Sequence, residues 1–363
     1  MSGKQISKKA DKSSLKTRIA EMKTIRRRWH LGTLRHFFRV LFTFIFAIVF
    51  AVVMISYQFF TGPSVAGRDF LTLTLYESSA MKFYPHLFMG DDMVQDVFDR
   101  NTLVQNSAST DVSLITIKSR NSLSENTATL GETEESEIEL HTVKGATYRG
   151  YMMIVKDPSR VSIGVCRYPF GEDLPGKKVS EIIEDYGAVA GINAGAFLDV
   201  NGSGNGGQPV GLVYSNGERL NRAGGGYPIV AGFDKNDILH VGPISNDEAE
   251  ALGIRDAAAF GPALIVNGIP SVVSGQGSGL NPRSAIGQRA DGAVLLLCID
   301  GRQPNSLGAS YEDLISIMME YGAVNACNMD GGSSTAMFLN GEQINDGLAV
   351  SGSRNLPTAW IVK

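Results

Sequence analysis

The alternation of apolar and polar positions divides the chain into stretches of very different texture. From Val40 to Phe60, 21 residues pass without one charge, among them Phe42, Phe44, Ile45, Phe46, Ile48, Val49, Phe50, Val52, Val53, Met54 and Ile55. At about 1.5 Å per residue such a run spans a hydrocarbon core of roughly 30 Å, so it predicts one transmembrane helix. Residues 61–137 read as a stalk. Leu71 to Phe98 mixes apolar and polar positions in a way that suits a helix or two. Asn101 to Glu137 is rich in Ser, Thr, Asn and Glu and poor in aromatics, which predicts a solvated linker whose acidic end is GETEESEIE.

From Ile138 onward the texture is that of strands. YRGYMMIVKD and RVSIGVCRY are apolar runs joined at Pro158-Ser159, and Val294 to Ile299 is a continuous apolar run that predicts a strand buried on both faces. Asn216-Gly217, Asn267-Gly268 and Asn340-Gly341 each separate strand-like segments, as two-residue hairpins require. Helical spacing is confined to Val179–Tyr186, ending at Gly187, and Tyr311–Tyr321, ending at Gly322. Residues 138–363 are therefore expected to form an α+β, mixed-sheet domain with few helices. The two helices also introduce an internal echo. Each continues Tyr-Gly-Ala-Val into a short strand and then an Asn-bearing turn, so that Asn193 corresponds to Asn328 and Gly195 lies within a residue of Asp330-Gly331. In such units ligands gather at the carboxyl ends of strands.

Charge gives the chain a direction. Residues 1–39 hold 12 Lys/Arg and 2 Asp/Glu, whereas the other 324 residues hold 21 basic and 35 acidic side chains within a net charge of −4. The basic head precedes the apolar run and the stretch after it is charge-poor until Arg68, so the positive-inside rule places residues 1–39 in the cytoplasm and 61–363 outside. The run is too long for a cleaved signal peptide and no A-x-A follows it, which reads as an uncleaved signal-anchor and removes the case for a nucleic-acid arm. Gly is in excess, 41 of 363 residues. That favours tight turns and close backbone approach over a helical bundle. The three cysteines, Cys166, Cys298 and Cys327, are too few for a disulfide framework, a pattern that suits a bacterial surface.

Candidate chemistry gathers in residues 281–335. The strand Val294–Ile299 runs into Asp300-Gly301-Arg302, and the one opened by Gly322-Ala323-Val324 runs into Asn328-Met329-Asp330-Gly331-Gly332. Two strands of parallel sense would deliver Asp300 and Asp330 to one rim, where buried carboxylates need partners or a task. Arg283, Arg302 and Arg354 enter from loops at strand ends, and their planar forks suit phosphate or carboxylate oxygens. The turn Gly331-Gly332-Ser333-Ser334 resembles an anion cradle, although the spacing is neither that of a P-loop nor G-x-S-x-G. His86, His141 and His240 lie far away in sequence, and no His or Cys spacing suggests zinc. No cofactor is required by this reading; a hard cation such as calcium or magnesium on Asp oxygens is left open.

GINAGAF (191–197), AAFGPALIVNG (258–268), NPRSAIG (281–287), LCIDGRQPNSLG (297–308), NMDGGSST (328–335) and the terminal SRNLPTAWIV together resemble the phosphodiester glycosidase family. That is the domain of the enzyme that uncovers mannose 6-phosphate by removing N-acetylglucosamine, and many bacterial members are described as exopolysaccharide-associated. The resemblance covers roughly residues 138–363. It implies hydrolysis of a sugar-1-phosphodiester at the glycosidic C–O bond. The leaving group is then a phosphate monoester, already a stable anion, so the site needs cations and N–H donors on the phosphate plus a carboxylate. On that reading Arg283 and Arg302 bind phosphate, with Arg354 as a further cation. Asp330, with Asp300 second, acts as base or nucleophile; Asn193 and Asn328 orient sugar hydroxyls; and Gly331, Gly332, Ser333 and Ser334 donate N–H groups. Gly195 and Phe197 would line the sugar site. Ala194 stands where the family often has Gly, so the turn after Asn193 is expected to differ.

Two readings from other classes compete. One is a tethered carbohydrate-binding module, with Phe197, Tyr227 and Trp360 stacking on sugars; the other is a factor in polysaccharide assembly for which the anchor matters most. The expected partners are a glycan or sugar-phosphate and, through residues 40–60, the membrane.

Overall fold

The computed structural model describes residues 3–78, 81–117, 137–199, 203–346 and 354–363. They divide into two units, Met1–Gly62 and Pro63–Lys363. The first is a single helix, α1 (Gly3–Thr61), of which Thr33–Thr61 is long and apolar enough to cross a membrane. The span expected at 40–60 lies inside it, and the basic segment 1–39 continues the same helix from residue 3 rather than forming a separate element.

The second unit opens with α2 (Val65–Tyr76), whose N-terminus is capped by the Ser64 hydroxyl accepting the Gly67 N–H at 3.2 Å. Next comes α3 (Asp91–Arg100), with Asp91 and Asp92 in its first turn and Arg100 in its last, the charge order a helix dipole favours. The chain then forms β1 (Leu103–Val104), β2 (Ile138–Lys144), β3 (Arg149–Val155), β4 (Val161–Val165), α4 (Val179–Asp185) and β5 (Ala190–Asn193). It continues as β6 (Val213–Ser215), β7 (Glu218–Asn221), β8 (Ile229–Asp234), β9 (Leu239–Pro243), α5 (Asn246–Leu252), β10 (Ile254–Ala259), β11 (Ala263–Val266), β12 (Ile269–Pro270) and β13 (Val272–Val273). The last elements are β14 (Arg283–Arg289), β15 (Val294–Ile299), α6 (Tyr311–Glu320), β16 (Ala323–Met329), β17 (Met337–Leu339), β18 (Glu342–Gln343) and β19 (Thr358–Val362).

Three sheets carry the domain, with strand orders β12-β11-β16-β14-β15-β3-β2, β18-β17-β5-β19-β4 and β7-β6-β10-β8-β9. This is the α+β architecture that the sequence implies, and its described ladders are antiparallel. Along β15 the side chains alternate between two cores. Val294, Leu296 and Cys298 enter the central cluster shared by the sheets, while Leu295, Leu297 and Ile299 enter a second cluster under α6. A strand buried on both faces has no polar phase, which is why its sequence shows none. The turns Asn216-Gly217, Asn267-Gly268 and Asn340-Gly341 each take positive φ at both residues, the conformation of a type I′ hairpin. Gly187 and Gly322 follow α4 and α6 with φ of +59° and +79°. The three cysteines are free and buried.

The predicted stalk is where the structure departs most from expectation. Residues 63–117 belong to the same unit as the domain, and the stretch 101–117, read as a solvated linker, is laid along the sheets as a strap. β1 pairs with β13. The Gln105 side chain accepts the Ala263 N–H at 2.8 Å, and Asn106 Nδ2 donates to the Val266 carbonyl at 3.2 Å. Asn267 accepts the Asp111 N–H at 2.7 Å and donates to the Ser109 carbonyl at 2.9 Å. The polar composition that suggested solvation instead satisfies backbone groups at a sheet edge. Residues 118–136, with most of the acidic run GETEESEIE, lie outside the described residues.

Candidate active site

The seven-stranded sheet builds the site at one edge. β15 and β16 both run antiparallel to β14, Ile299 facing Arg283 and Met329 facing Ser284, so the two outer strands share a direction and end together. Asp300, Arg302 and Asp330 follow those ends, and Arg283 opens the strand between them. The four residues thus share one rim, but Asp330 and the arginines form two clusters, and Asp300 is tied separately to Asn345.

The first cluster surrounds Asp330. Its backbone is clamped by the end of β5. The Asp330 N–H donates to the Ala194 carbonyl at 3.0 Å, and Asn193 Nδ2 donates to the Asp330 carbonyl. Asn193 Oδ1 accepts the Ser284 hydroxyl at 2.6 Å and the Ala336 N–H at 3.2 Å. The two halves of the sequence echo therefore meet here, β5 holding what β16 delivers. Ala194 is buried with ordinary φ, and its carbonyl is one jaw of the clamp. Asp330 Oδ1 accepts the Gly331 N–H at 2.9 Å, while Oδ2 is buried with no hydrogen-bond partner among the described residues. Burial pushes the carboxyl up to about 6; Ser334, close by but outside hydrogen-bonding geometry, the Gly331 N–H and the Arg354 charge pull the other way. Arg354 makes a two-pronged pair with Asp199, at 2.7 and 2.9 Å, and its guanidinium stacks over the Phe197 ring at 4.8 Å. Asp199 is held below the usual carboxylate range by that pair. The charges of Asp330 and Asp199 add to burial in raising the Tyr227 phenol, so Tyr227 lies within electrostatic reach of both.

The second cluster surrounds the arginines. Arg302 is exposed at the rim, held in left-handed backbone geometry at φ +57°, which strains a side chain that is neither Gly nor Asn/Asp. Its Nη2 donates to Asn281 Oδ1 at 2.9 Å. It lies across the turn that follows Asp330, where a Cβ on Gly332 would stand 3.5 Å from Nη2. Arg283 is only 5% exposed. It stacks on the Tyr311 ring at 4.4 Å and donates to the carbonyls of Ala309 and Gly279 at 3.1 and 3.0 Å. Its charge is met by Glu77, at 2.6 Å. Glu77 lies just beyond α2, and nothing local in the sequence singles it out.

Several residues expected to touch substrate are occupied otherwise. Asn193 spends its amide on the clamp. Asn328 is buried and donates to the Gly261 carbonyl at 2.8 Å, fixing the loop before β11; its Oδ1 has no hydrogen-bond partner among the described residues. The Gly195 N–H donates to the Thr358 hydroxyl at 3.2 Å, and a Cβ there would come within 3.0 Å of the Ala259 carbonyl, so this glycine permits close packing of backbone. Phe197 is buried beneath Arg354. Trp360 is fully buried, donating to Met329 Sδ at 3.3 Å, and presents no face to a sugar. The Gly331–Ser334 turn is one 3₁₀ turn whose N–H groups are largely spent. Gly331 bonds Asp330, Gly332 bonds the Pro282 carbonyl at 2.9 Å and Ser334 bonds the Gly331 carbonyl at 3.1 Å; Ser333 stands half-buried at the rim. Asp300 is 5% exposed and accepts Asn345 Nδ2 at 3.1 Å. Burial raises its carboxyl and Asn345 holds it back. Among the described residues no group of three or more His, Cys, Asp or Glu side chains is placed to hold a metal ion.

A family profile described as phosphodiester glycosidase matches residues 186–363. The structural domain starts earlier, since β3 is an interior strand of the seven-stranded sheet and β4 pairs with β19. The SPbeta prophage-derived uncharacterized protein YomE of Bacillus subtilis (strain 168) is 36% identical over 98 residues, 26% of this chain and 15% of that protein, so the match spans a small part of the relative's length. Among solved structures, the catalytic domain of zebrafish N-acetylglucosamine-1-phosphodiester alpha-N-acetylglucosaminidase, auto-inhibited by its pro-peptide, has the same fold. It is 18% identical with a TM-score of 0.52, over 64% of this chain and 85% of that one. A hypothetical protein from Synechocystis is 20% identical with a TM-score of 0.44, over 62% of each chain. Residues 186–363 thus match the phosphodiester glycosidase family.

Proposed function

We propose that the protein is a membrane-anchored hydrolase that cleaves the glycosidic C–O bond of a sugar-1-phosphodiester, with its domain outside the cell and its N-terminus in the cytoplasm. One observation carries the proposal: a carboxyl at about 6, one oxygen buried and unpartnered, separated by a glycine turn from an exposed arginine in strained backbone. A carboxylate raised into the working pH range is suited to proton transfer, and an exposed guanidinium suits a phosphate. In the reaction the oxygen of water bonds to the anomeric carbon, the bond from that carbon to the bridging oxygen breaks, and a phosphate monoester leaves. Asp330 takes the water proton, and Arg302 meets the phosphate charge. Arg354 and Tyr227 edge the Asp330 side, where the sugar would lie. The phosphodiester substrate named for the zebrafish relative supports this class, and a cell-surface or exopolysaccharide glycan is the corresponding source of substrate. The apolar stretch Thr33–Thr61 and the basic residues before it support the anchoring and its direction.

The test uses the full chain in detergent with a panel of sugar-1-phosphodiesters, with and without a chelator. Free sugar and phosphomonoester are expected in both arms; loss of turnover with chelator would bring in a cation. Release of sugar phosphate would mean that the P–O bond is cut and would overturn the reading. Binding without turnover, unchanged in Asp330→Asn, would leave a carbohydrate-binding module.

A further inference from the structure

We propose that Glu77, in residues 63–117 (the strap taken together with α2 and α3), is a positioning residue of this site, holding Arg283 directly and Arg302 through Asn281. The inference rests on the hydrolase reading for its function, and on geometry for its existence. Glu77 Oε2 lies 2.6 Å from Arg283 Nη2 and accepts Asn281 Nδ2 at 2.8 Å, while Oε1 accepts the Gly279 N–H at 3.2 Å. The other end of the Asn281 amide accepts Arg302 Nη2, so one carboxylate sets the orientation of the amide that holds the exposed arginine. A guanidinium as buried as Arg283 is costly without a counter-ion, whether or not substrate is present. Glu77 supplies one that does not depend on substrate.

The strap is fastened on both sides of Glu77. Before it, the Thr74 hydroxyl accepts the Leu280 N–H at 3.2 Å, and Asp69 in α2 pairs with Arg100 in α3 at 2.7 and 2.6 Å. After it, Asn101 donates to Asp69 at 2.8 Å and accepts the Gln276 N–H at 2.6 Å, while β1 pairs with β13. The loop 274–281 that carries Asn281 to the rim is thus held by the strap along its length. Two helices and a strand fixed in this way are permanent framework rather than a plug that leaves with each turnover. The working unit therefore begins near residue 63, and residues 138–363 alone lack one wall of the anion site.

The test compares wild type, Glu77→Ala and Glu77→Gln, each as the full chain in detergent. Calorimetric binding of inorganic phosphate is read alongside turnover, so the positioning role is measured even if no sugar phosphodiester in the panel is cleaved. Phosphate binding and kcat/KM are expected to fall about tenfold in Glu77→Ala, chiefly through KM, and to recover largely in Glu77→Gln, whose amide oxygen still accepts from Arg283 and Asn281. Gly279→Ala serves as a second variant that leaves the charges alone. Its Cβ would lie 2.3 Å from the Thr74 backbone and displace the strap, giving the same loss. Unchanged binding in both variants would overturn the proposal. Tighter phosphate binding in Glu77→Ala would overturn it too, by showing that the carboxylate competes with anions for the arginines.

Discussion

At the end of β15 the Asp300 carboxyl is closed in and tied to Asn345; at the end of β16 the Asp330 carboxyl keeps one oxygen without a partner and faces the Arg354–Asp199 pair. Both follow a buried strand, both precede glycine, and both are pushed upward by burial. The difference lies in what the neighbouring sheet supplies. β17 and the hairpin after it bring Asn345 to Asp300, where Asn345 also accepts the Met337 N–H at 2.8 Å and donates to the Thr335 carbonyl at 3.3 Å. That network uses Asp300 as one anchor of a loop. β5 brings Asn193 to Asp330, but it grips the backbone and leaves the buried carboxyl Oδ2 without a hydrogen-bond partner among the described residues. A strand end becomes a candidate for chemistry when its main chain is fixed by others and its side chain is not.

The sharpest way to break this comparison is Asp330→Asn. Turnover is expected to fall about 1000-fold, the scale of a lost general base, with substrate binding retained. Stability should move the other way. The folded carboxyl titrates near 6, above its unfolded value, so the native state binds more protons than the unfolded chain between those limits. Its ionisation therefore costs stability as pH rises through 6, and the penalty is absent once the pH is below the unfolded value. The neutral asparagine should raise stability at pH 7 by up to about 3 kcal/mol, read by denaturant unfolding of the domain at pH 7 and pH 4. A wild-type kcat/KM that falls below pH 6 would match the same carboxylate; a flat profile to pH 4.5 would remove Asp330 as the base.

Asn193→Ala tests the clamp rather than the carboxyl. It strands the Ser284 hydroxyl, the Ala336 N–H and the Asp330 carbonyl, all in buried surroundings, and should cost roughly 3 kcal/mol of stability. If Asn193 instead served mainly to orient a sugar hydroxyl, KM would rise with little change in unfolding midpoint.

These particulars show what a sequence can carry. The hairpin turns were legible because Asn-Gly demands positive φ at two adjacent positions, and β15 because six apolar residues between polar turns have no other economical burial. The family resemblance and the rim with Asp300, Asp330 and the arginines could be read from strand ends. The strap could not. Glu77 and Asn281 are 204 positions apart, and the Asn, Gln and Ser of residues 101–111 look the same whether they bond water or a sheet edge. Asn193, Asn328 and Gly195 were read as ligands for the same reason: the side chains that bind sugars are also those that satisfy buried backbone. Trp360 was read as a surface platform although its strand, TAWIV, is apolar enough to be interior.

Asp300→Asn should have the smallest effect, and it carries the comparison's other half. Asparagine keeps an oxygen that accepts Asn345 Nδ2, and it removes a charge that burial disfavours. Unfolding free energy at pH 7 should therefore stay level or rise slightly, and turnover should remain within about threefold of wild type, the scale expected when no reacting atom is touched. The pH profile should keep its acid limb near 6, because that limb belongs to the other strand end. A folded Asp300→Asn protein without turnover would reverse the assignment, since a carboxyl held by Asn345 would then be the one that acts and the buried, unpartnered oxygen of Asp330 would need another purpose.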